Sequence, residues 1–285
     1  MPDTSLISLK GLTKPATVLI EKISGAIGVI YEPTKIRRKA QARADVAIVE
    51  AQTLIEVDEL ERRALARFVV EQGYQQRNIE NITASALLYL DDQADPTEMD
   101  SDWISDFFEK CKRVSNEEMQ KLWSRILAEE ANNPNSVSKR TVDFVSTMDR
   151  SDADFFAKLC NFSDNSLGEP LIYDTQANIY NDNGLNFKDL AHLDSIGLIN
   201  FNSLGYIRKG HGKNLRVAVA GKLLDIEFTK DKDNDLQFGV VMLTKIGQDL
   251  RKICSIETPD GFYQYVVERL VKKHKHNLSC PIKES

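Results

Sequence analysis

The chain has 285 residues, of which 42% are hydrophobic and 28% are charged, and its formal net charge is −6. This composition is typical of a globular protein of one or two domains and excludes general disorder, a collagen-like chain and a uniformly basic nucleic-acid coat. The best candidate for a membrane span, residues 23–31, is too short, no signal peptide is recognisable, and the four scattered cysteines do not suggest a disulfide framework, so we expect a cytoplasmic protein.

An amphipathic segment over residues 1–33 opens the chain. Its apolar residues follow helical spacing between Leu12 and Tyr31. A cluster of basic residues without an intervening acid comes next: Lys35, Arg37, Arg38, Lys39 and Arg43. Such a pair of features is typical of a membrane-surface anchor or another interaction surface. Amphipathic helices of soluble proteins usually bury the apolar face in their own core, so a membrane is the less expected partner.

A long helix is predicted over residues 34–90, because this stretch is rich in strong helix formers and contains one glycine, Gly73. A straight helix of that length would extend about 85 Å, so we expect a break near Gly73 or a hairpin arm. Apolar residues follow helical spacing along it through Ala40, Ala44, Ala47, Ala51, Leu54, Val57, Leu60, Ala64 and Phe68, and again through Ile79, Ile82, Ala86 and Leu90. The small residues at its start form a seam that allows a second helix to approach closely: Ala40, Ala44, Ala47 and Ala51. The seam packs within the chain or against a second copy, and from it we predict a homo-oligomer.

The acidic middle of the chain completes a helical domain over residues 34–165. Helices are predicted around 103–114 and from Ser115, Ser138 and Ser151, and the run Ser115-Asn116-Glu117-Glu118 is typical of a capping box. Aromatic and aliphatic residues on the inner faces predict a helical core made of Leu122, Trp123, Ile126, Phe155 and Phe156.

Residues 118–128 read EMQKLWSRILA, and they are followed by a polar loop and the runs 141–148 and 151–155. This arrangement resembles the helical segment of the bacterial abortive-infection alpha family. A wider pattern adds residues 12–16, the Ala-rich helix and residues 78–82, and it resembles the bacterial family named domain of unknown function 2806 over most of the chain. The first resemblance implies a role in defence against phage, and the second family supplies no catalytic residues.

After residue 166, glycine, asparagine and aspartate become frequent and β-prone runs appear. This change in composition predicts an α+β domain over residues 166–285. A helix over 185–196 is expected to stop at Gly197 and to lead into a strand at 198–201. A hairpin is predicted to pair 206–209 with 215–219 through the glycines between them. Two more strands at 223–229 and 236–243, a helix capped by Thr244 and a helix over 260–275 follow. The order of helix, hairpin and helix is similar to winged-helix domains.

The predicted hairpin lies in a stretch, residues 195–224, that contains no acid. In a winged helix the hairpin follows the phosphates of a nucleic acid, which makes its aromatic and basic residues candidates for that contact: Tyr206, Arg208, Lys209, Lys213, Arg216 and Lys222. The preceding helix carries Asp189 and Asp194, which disfavours direct base readout. Many winged helices contact only other proteins, so a protein partner stays open beside nucleic acid.

The sequence motifs that could bind a metal ion or a dinucleotide are all incomplete. The pair His274 and His276 lies in a Lys-rich tail, the run 231–235 lacks the glycine and glutamate of a calcium loop, and Gly210-x-Gly212 lacks the third glycine of a dinucleotide fingerprint. We therefore expect no metal, no cofactor and no enzymatic activity.

Taken together, these patterns predict a mostly α chain, with a long-helix bundle followed by a winged-helix-like α+β domain. Its expected function is that of a non-enzymatic binding or scaffold protein in phage defence. The alternatives are a nucleic-acid-binding regulator and a membrane-surface effector.

Overall fold

The computed structural model describes residues 12–28, 58–164, 168–274 and 283–284, with side chains up to residue 270. The chain divides into two compact units, Met1–Ser146 and Thr147–Ser285. The first unit is helical and the second combines helices with antiparallel strands, which confirms the predicted mostly α chain with a C-terminal α+β part. The predicted domain boundary after residue 165 concerns independent folding and stays a prediction.

The described part of the first unit contains α-helices joined by short loops and 3₁₀ turns. The helices are α1 (Lys14–Ile27), α2 (Glu59–Ala86), α3 (Ser101–Cys111), α4 (Glu117–Asn132) and α5 (Lys139–Ser146). The 3₁₀ turns are Leu87–Tyr89 and Pro96–Glu98. Helix α1 packs against α3, and α2 packs against α4.

Side chains at the helix starts explain where these helices begin. Thr13 accepts a hydrogen bond from the Ala16 amide at 3.4 Å at the start of α1. Asn116 accepts one from the Met119 amide at 3.1 Å at the start of α4. The predicted capping box on Ser115 is therefore wrong by one residue, because the amide side chain of Asn116 already satisfies the third free backbone N–H of the helix.

Helix α1 buries its apolar face within the first unit. Leu19 and Ile23 have no exposed surface, and Ile20 is also buried. The helix ends before Gly28, whose amide donates to the Ser24 carbonyl at 3.1 Å. This burial confirms the prediction that an amphipathic helix of this kind packs into its own core.

Helix α2 runs without interruption for 28 residues, through Gly73. Of the two predicted alternatives, the break near Gly73 is therefore wrong, and the hairpin arm stays a prediction. A glycine inside a helix keeps its backbone N–H and costs only about 1 kcal/mol relative to alanine, which strong helix formers on both sides offset. The predicted start of the helix at residue 34 and the alanines of the seam between 40 and 51 lie outside the described residues.

Four aromatic rings form the centre of the first unit. Trp103 stacks on Phe107 with ring centroids 5.0 Å apart, and Phe107 contacts Phe108 and Trp123 edge to face at 5.1 and 5.2 Å. The indole N–H of Trp103 donates to the Val137 carbonyl at 2.9 Å, so the loop before α5 is attached to this cluster.

The second unit begins with helices and continues with strands. The helices are α6 (Arg150–Cys160), α7 (Asn178–Asn181), α8 (Phe187–Ser195), α9 (Lys245–Arg251) and α10 (Phe262–His274). The strands are β1 (Ile199–His211), β2 (Asn214–Val219), β3 (Lys222–Glu227), β4 (Asn234–Leu243) and β5 (Lys283–Glu284).

The strands form two antiparallel groups. Strand β1 pairs with β4, from Ile199 opposite Leu243 to His211 opposite Asn234, and the register shifts several times between these ends. Strand β2 pairs with β3 along its full length, and β5 pairs with the other edge of β3. The strands predicted at 223–229 and 236–243 are therefore confirmed to within a few residues.

The predicted hairpin between 206–209 and 215–219 is wrong. Residues 206–208 pair with β4, and residues 214–219 pair with β3. The tight turn lies at Ala220 and Gly221, both of which have positive φ (54° and 73°), as a two-residue turn between antiparallel strands requires. The chain near Gly212 instead connects the two sheets.

The core of the second unit is built on Phe162, Tyr180 and Phe262, with Phe162 5.0 Å from Tyr180 and 5.2 Å from Phe262 between ring centroids. Thr244 caps α9 as predicted, by accepting from the Gly247 amide at 3.2 Å. A side chain at Gly247 would collide with the Leu198 carbonyl, so α9 can approach β1 this closely only with glycine there.

Candidate functional site

The most unusual surface of the first unit is the N-terminal part of α2, residues 59–70, which we call the exposed half of α2. Every residue in it is exposed. Leu60 exposes 66% of its surface and Phe68 exposes 57%. The other large apolar residues of this half are also exposed: Leu65, Val69 and Val70. Single exposed apolar side chains are common, but a cluster of this density indicates a surface that binds another surface.

The C-terminal half of α2 is firmly attached to the first unit. Asn78 donates to the Lys112 carbonyl at 2.9 Å and accepts from the Gln120 amide group at 3.1 Å. Ser124 of α4 donates to the Ile82 carbonyl at 3.0 Å. These contacts fix the direction of the helix, so the exposed half extends from a rigid base.

The same face of α2 is buried in one half and exposed in the other. Leu60, Ala64 and Phe68 are spaced by four residues, and Asn78 and Ile82 continue the same stripe toward α4. Ile82 is fully buried. The stripe that packs inside the first unit at the C-terminal end of α2 therefore continues uncovered by any described residue toward the N-terminal end.

A cavity of about 480 Å³ lies where the two halves of α2 meet. It is lined by α2 and by the loop between α3 and α4: Arg67, Val70, Glu71, Tyr74, Gln75, Asn78, Lys112, Arg113 and Ser115. Glu71 pairs with Arg113 at 3.2 Å, and Lys112 pairs with Glu109 at 2.7 Å. Two of the three cations that line this cavity thus have carboxylate partners, and the apolar surface above it remains its distinguishing feature.

The sequence predicts the interaction seam at Ala40, Ala44, Ala47 and Ala51, and the apolar stripe continues from the seam through Leu60, Ala64 and Phe68. Residues 40–51 lie outside the described part of the chain, whereas the extension lies on the exposed half of α2. The signal that marks the exposed half is the number of large apolar residues between 60 and 70. They are distributed around more of the helix circumference than a single intramolecular contact can cover.

The candidate nucleic-acid residues lie on the strands of the second unit. Arg208 and Lys209 are exposed on β1, and the guanidinium of Arg208 lies 4.8 Å from the centre of the Phe238 ring. Tyr206, also on β1, donates through its hydroxyl to the Asn200 carbonyl at 3.2 Å. Lys209 forms no ion pair with any described residue.

The other three candidates are engaged by neighbours. Arg216 binds both carboxylate oxygens of Asp225 across the β2–β3 pair, at 2.6 and 2.9 Å. This contact lowers the pKa of Asp225 and raises that of Arg216. Lys213 lies within 3.9 Å of Glu227 and 3.8 Å of Asp231. The ammonium group of Lys222 lies 4.9 Å from the centre of the Tyr263 ring.

These contacts reduce the positive charge that the acid-free stretch 195–224 presents to a partner. It is free of acids along the sequence, but strand pairing places the acidic residues of β3 and of the following loop beside its basic ones. The positive charge that a phosphate backbone would meet is therefore smaller than the sequence suggested. Arg208, Lys209 and Lys222 are the cations of this group without a carboxylate partner within the described structure, and the first two are adjacent on β1.

The remaining sequence candidates are distributed as follows. Lys35, Arg37, Arg38, Lys39 and Arg43 lie outside the described residues. Trp123 and Ile126 are buried in the first unit and Leu122 is half-buried there, whereas Phe156 is buried and Phe155 half-buried in the second unit. No helix among the described residues is long and apolar enough to cross a membrane. The described side chains contain no group of three or more His, Cys, Asp or Glu that could hold a metal ion.

Comparison with known proteins gives one match. A family model described as "Protein of unknown function (DUF2806)" matches residues 62–267, which is more than half of the chain. No curated protein and no solved structure matches the chain. The matched region begins within the exposed half of α2 and extends into α10.

Proposed function

The chain belongs to the DUF2806 family of proteins of unknown function, and from that premise we propose that it is a non-enzymatic binding protein that associates with a second copy of itself through the exposed half of α2. The observation that carries the proposal is the exposure of Leu60 and Phe68 on a helix whose other half is fixed in the first unit.

Continuity with an existing packing surface supports association between helices. The stripe of Leu60, Ala64 and Phe68 continues the face that packs on α4. An antiparallel pairing of two copies about Ala64 places Leu60 of each copy opposite Phe68 of the other, and the small alanine at the crossing lets the helices approach closely. A twofold pairing of this kind is the commonest arrangement of homo-oligomers.

The energetic gain is sufficient for a reversible dimer. Burial of one large apolar side chain contributes about 1.5–3 kcal/mol, and each copy brings several of them. The exposed half of α2 is only about 18 Å long, so the interface lies at the small end of the range for specific complexes. We therefore expect an association that depends on concentration in the micromolar range.

Sedimentation velocity over a series of concentrations tests the proposal. We expect the parent protein to shift from monomer to dimer, and the double variant Leu60→Glu with Phe68→Glu to stay monomeric, because four glutamates would face one another at the interface. A matched control is Leu204→Glu, since Leu204 is 88% exposed and lies on β1 in the second unit. This control should dimerise like the parent.

Two results would contradict self-association. One is a parent protein that stays monomeric at every concentration. The other is a double variant that dimerises normally. If the parent is monomeric and the double variant also melts at a lower temperature, then residues of the same chain cover the exposed half of α2, and the surface serves intramolecular packing instead.

Defence against phage is the process that we propose for this binding activity. Its support is the resemblance of residues 118–155 to the abortive-infection segment. The test is the plating efficiency of a phage panel on cells with and without the gene, with the Leu60→Glu/Phe68→Glu variant as the comparison. Protection that the parent gives and the variant loses is the expected result, and equal plating with all phages would remove this role.

Nucleic-acid binding by the second unit is a second candidate, favoured by the order of α6, α7 and α8 before the β1–β4 pair and by the exposed cations of β1. Because Lys213 and Arg216 have carboxylate neighbours and Lys222 lies against the Tyr263 ring, the contact falls to the adjacent pair Arg208 and Lys209. We expect Arg208→Glu with Lys209→Glu to weaken a salt-dependent gel shift more than Lys213→Glu with Arg216→Glu does. No shift with the parent protein would end this candidate.

A further inference from the structure

Two cysteines of the second unit lie side by side. Cys160 is the last residue of α6, and Cys254 follows the end of α9. The thiol of Cys254 donates to the Leu250 carbonyl at 3.4 Å, and its sulfur lies within reach of the Cys160 sulfur. A nearby hydrogen bond holds the two segments together, since the Glu257 amide donates to the side chain of Asn161 at 2.9 Å. Neither thiol is in a disulfide.

The two thiols differ in their accessibility to solvent. Cys160 is fully buried, whereas Cys254 is half-buried and can be reached from solvent. Residues 252–260 form no regular helix or strand. The backbone around Cys254 can therefore adjust by the small amount that bonding between two sulfur atoms requires, while Cys160 stays fixed at the end of its helix.

An arginine completes the cluster. Arg251 lies close enough to Cys160 to favour its thiolate, although burial and the neighbouring Cys254 raise the pKa of Cys160 well above its ordinary value. The Nε atom of Arg251 is buried and has no hydrogen-bond partner within the described structure. A buried cationic donor whose Nε has no acceptor, beside the sulfur of Cys160, fits a site at which negative charge develops on sulfur.

We propose that Cys160 and Cys254 are a modification site, which forms a reversible disulfide when the protein meets a hydroperoxide. The more accessible Cys254 reacts first. Its thiolate attacks the peroxide, an S–O bond forms and the O–O bond breaks, and hydroxide leaves. The sulfur of Cys254 is oxidised by two electrons to a sulfenic acid, and the peroxide is reduced.

The second step closes the bond. The sulfur of Cys160 attacks the sulfenic sulfur of Cys254, the S–S bond forms, the S–O bond breaks, and the oxygen leaves as water with the proton of the Cys160 thiol. Because Cys160 is buried within reach, this step competes well with further oxidation by a second peroxide. The product links the end of α6 to the segment after α9.

Mass spectrometry of the full-length protein tests the site. After treatment with hydrogen peroxide we expect the mass to fall by two hydrogens, about 2 Da, and a tryptic peptide that joins Cys160 to Cys254 to appear. Dithiothreitol should restore the original mass. The linked protein should melt at a temperature several degrees higher than the reduced protein, because the bond closes a loop of more than ninety residues in the unfolded chain.

Matched variants separate this site from general thiol oxidation. Cys254→Ser and Cys160→Ala should each abolish the loss of two hydrogens, and Cys254→Ser, at a half-buried position, is expected to fold like the parent. Cys111→Ser, at the buried thiol of the first unit, and Cys280→Ser should each keep the reaction. A bridge that joins other cysteines, oxidation only to sulfinic acid, or an unchanged mass would overturn the proposal.

Discussion

At the scale of single residues, Glu130 shows how a buried charge organises a turn. It is 2% exposed, and its two carboxylate oxygens accept from the backbone amides of Asn135 and Val137 at 2.7 and 2.8 Å. Burial raises the pKa of this carboxyl group, although the backbone N–H donors oppose the shift. The side chain therefore replaces water for amides that the loop between α4 and α5 would otherwise leave unpaired.

Replacement of Glu130 by alanine should destabilise the first unit by about 2–4 kcal/mol, because two buried amides lose their acceptor and a small cavity forms. Urea unfolding monitored by tryptophan fluorescence measures the change, since both tryptophans lie in this unit. Glu129→Ala is the matched control at the neighbouring position, where the side chain is only half-buried. An equal loss in both variants would contradict the role assigned to Glu130.

His211 gives the second unit a dependence on pH. Its ring stacks on Phe228 with centroids 6.4 Å apart, and its Nε2 atom is buried without a hydrogen-bond partner among described residues. Burial and the nearby Arg208 lower the pKa of His211 from 6.5, and Asp235 opposes them. The unfolded chain then takes up the proton more readily than the folded protein does.

The contribution of His211 to stability is therefore complete above pH 6.5 and is lost as the pH falls through its folded pKa. We expect the parent to lose more thermal stability than His211→Phe between about pH 7 and about pH 5, because phenylalanine keeps the ring stacking and cannot be protonated. Calorimetry at several pH values measures the difference. Parallel curves for the two proteins would disprove the effect.

At the scale of elements, the continuity of α2 leads to a test at Gly73. The residue lies inside the helix and is exposed, and a side chain there would meet no atom within 4 Å. Gly73→Ala should stabilise the first unit by about 0.5–1 kcal/mol, because alanine loses less backbone freedom on folding. Chemical denaturation measures the gain, and a loss would indicate that the helix bends at Gly73 in solution.

Gly197 is the contrasting control for that substitution. It follows α8 with φ at +84°, a conformation that alanine adopts only with strain. Gly197→Ala should therefore destabilise the second unit by about 1 kcal/mol or more. The opposite signs at the two glycines distinguish a helix interior from a helix end.

Local signals explain which elements were predictable from the sequence. The cap at Thr244 and the stop at Gly197 depend on residues within a few positions of one another, and the structure confirms both. The pairing of β1 with β4 joins residues that are more than twenty positions apart, and no turn signal specifies it. The Ala220–Gly221 turn carries no sequence signal either, because alanine is uncommon at positive φ.

At the scale of the whole molecule, the division at residue 146 differs from the boundary predicted at residue 165. Helix α6 supplies Phe156 and Leu159 to the core of the second unit, and its Asp152 lies 2.7 Å from His192 of α8. A fragment of residues 147–285 should therefore fold by itself, whereas a fragment of residues 166–285 should not. Dispersion of amide signals in NMR spectra decides between the two, and a folded 166–285 fragment would support the boundary predicted from the sequence.

The candidate interaction surfaces were only partly predictable, because exposure and charge depend on residues that the fold brings together. An amphipathic stripe is visible in a sequence, but whether a partner covers it depends on how far the rest of the unit reaches along the helix. Likewise, the basic residues Lys213 and Arg216 are adjacent to no acid in sequence, and only the fold places Asp225 and Glu227 beside them. Exposure and charge neutralisation are properties of three-dimensional neighbours.

The two halves of α2 carry one further consequence, for the kinetics of amide hydrogen exchange. Amides at 79–86 should exchange with deuterium only when the first unit opens, whereas those at 63–70 need only the end of one helix to fray. A single helix thus contains a slow and a fast reporter under identical solvent conditions. A molecule that binds the N-terminal turns of α2 should slow the exchange of the amides at 63–70 only. The amides at 79–86 then serve as the internal reference.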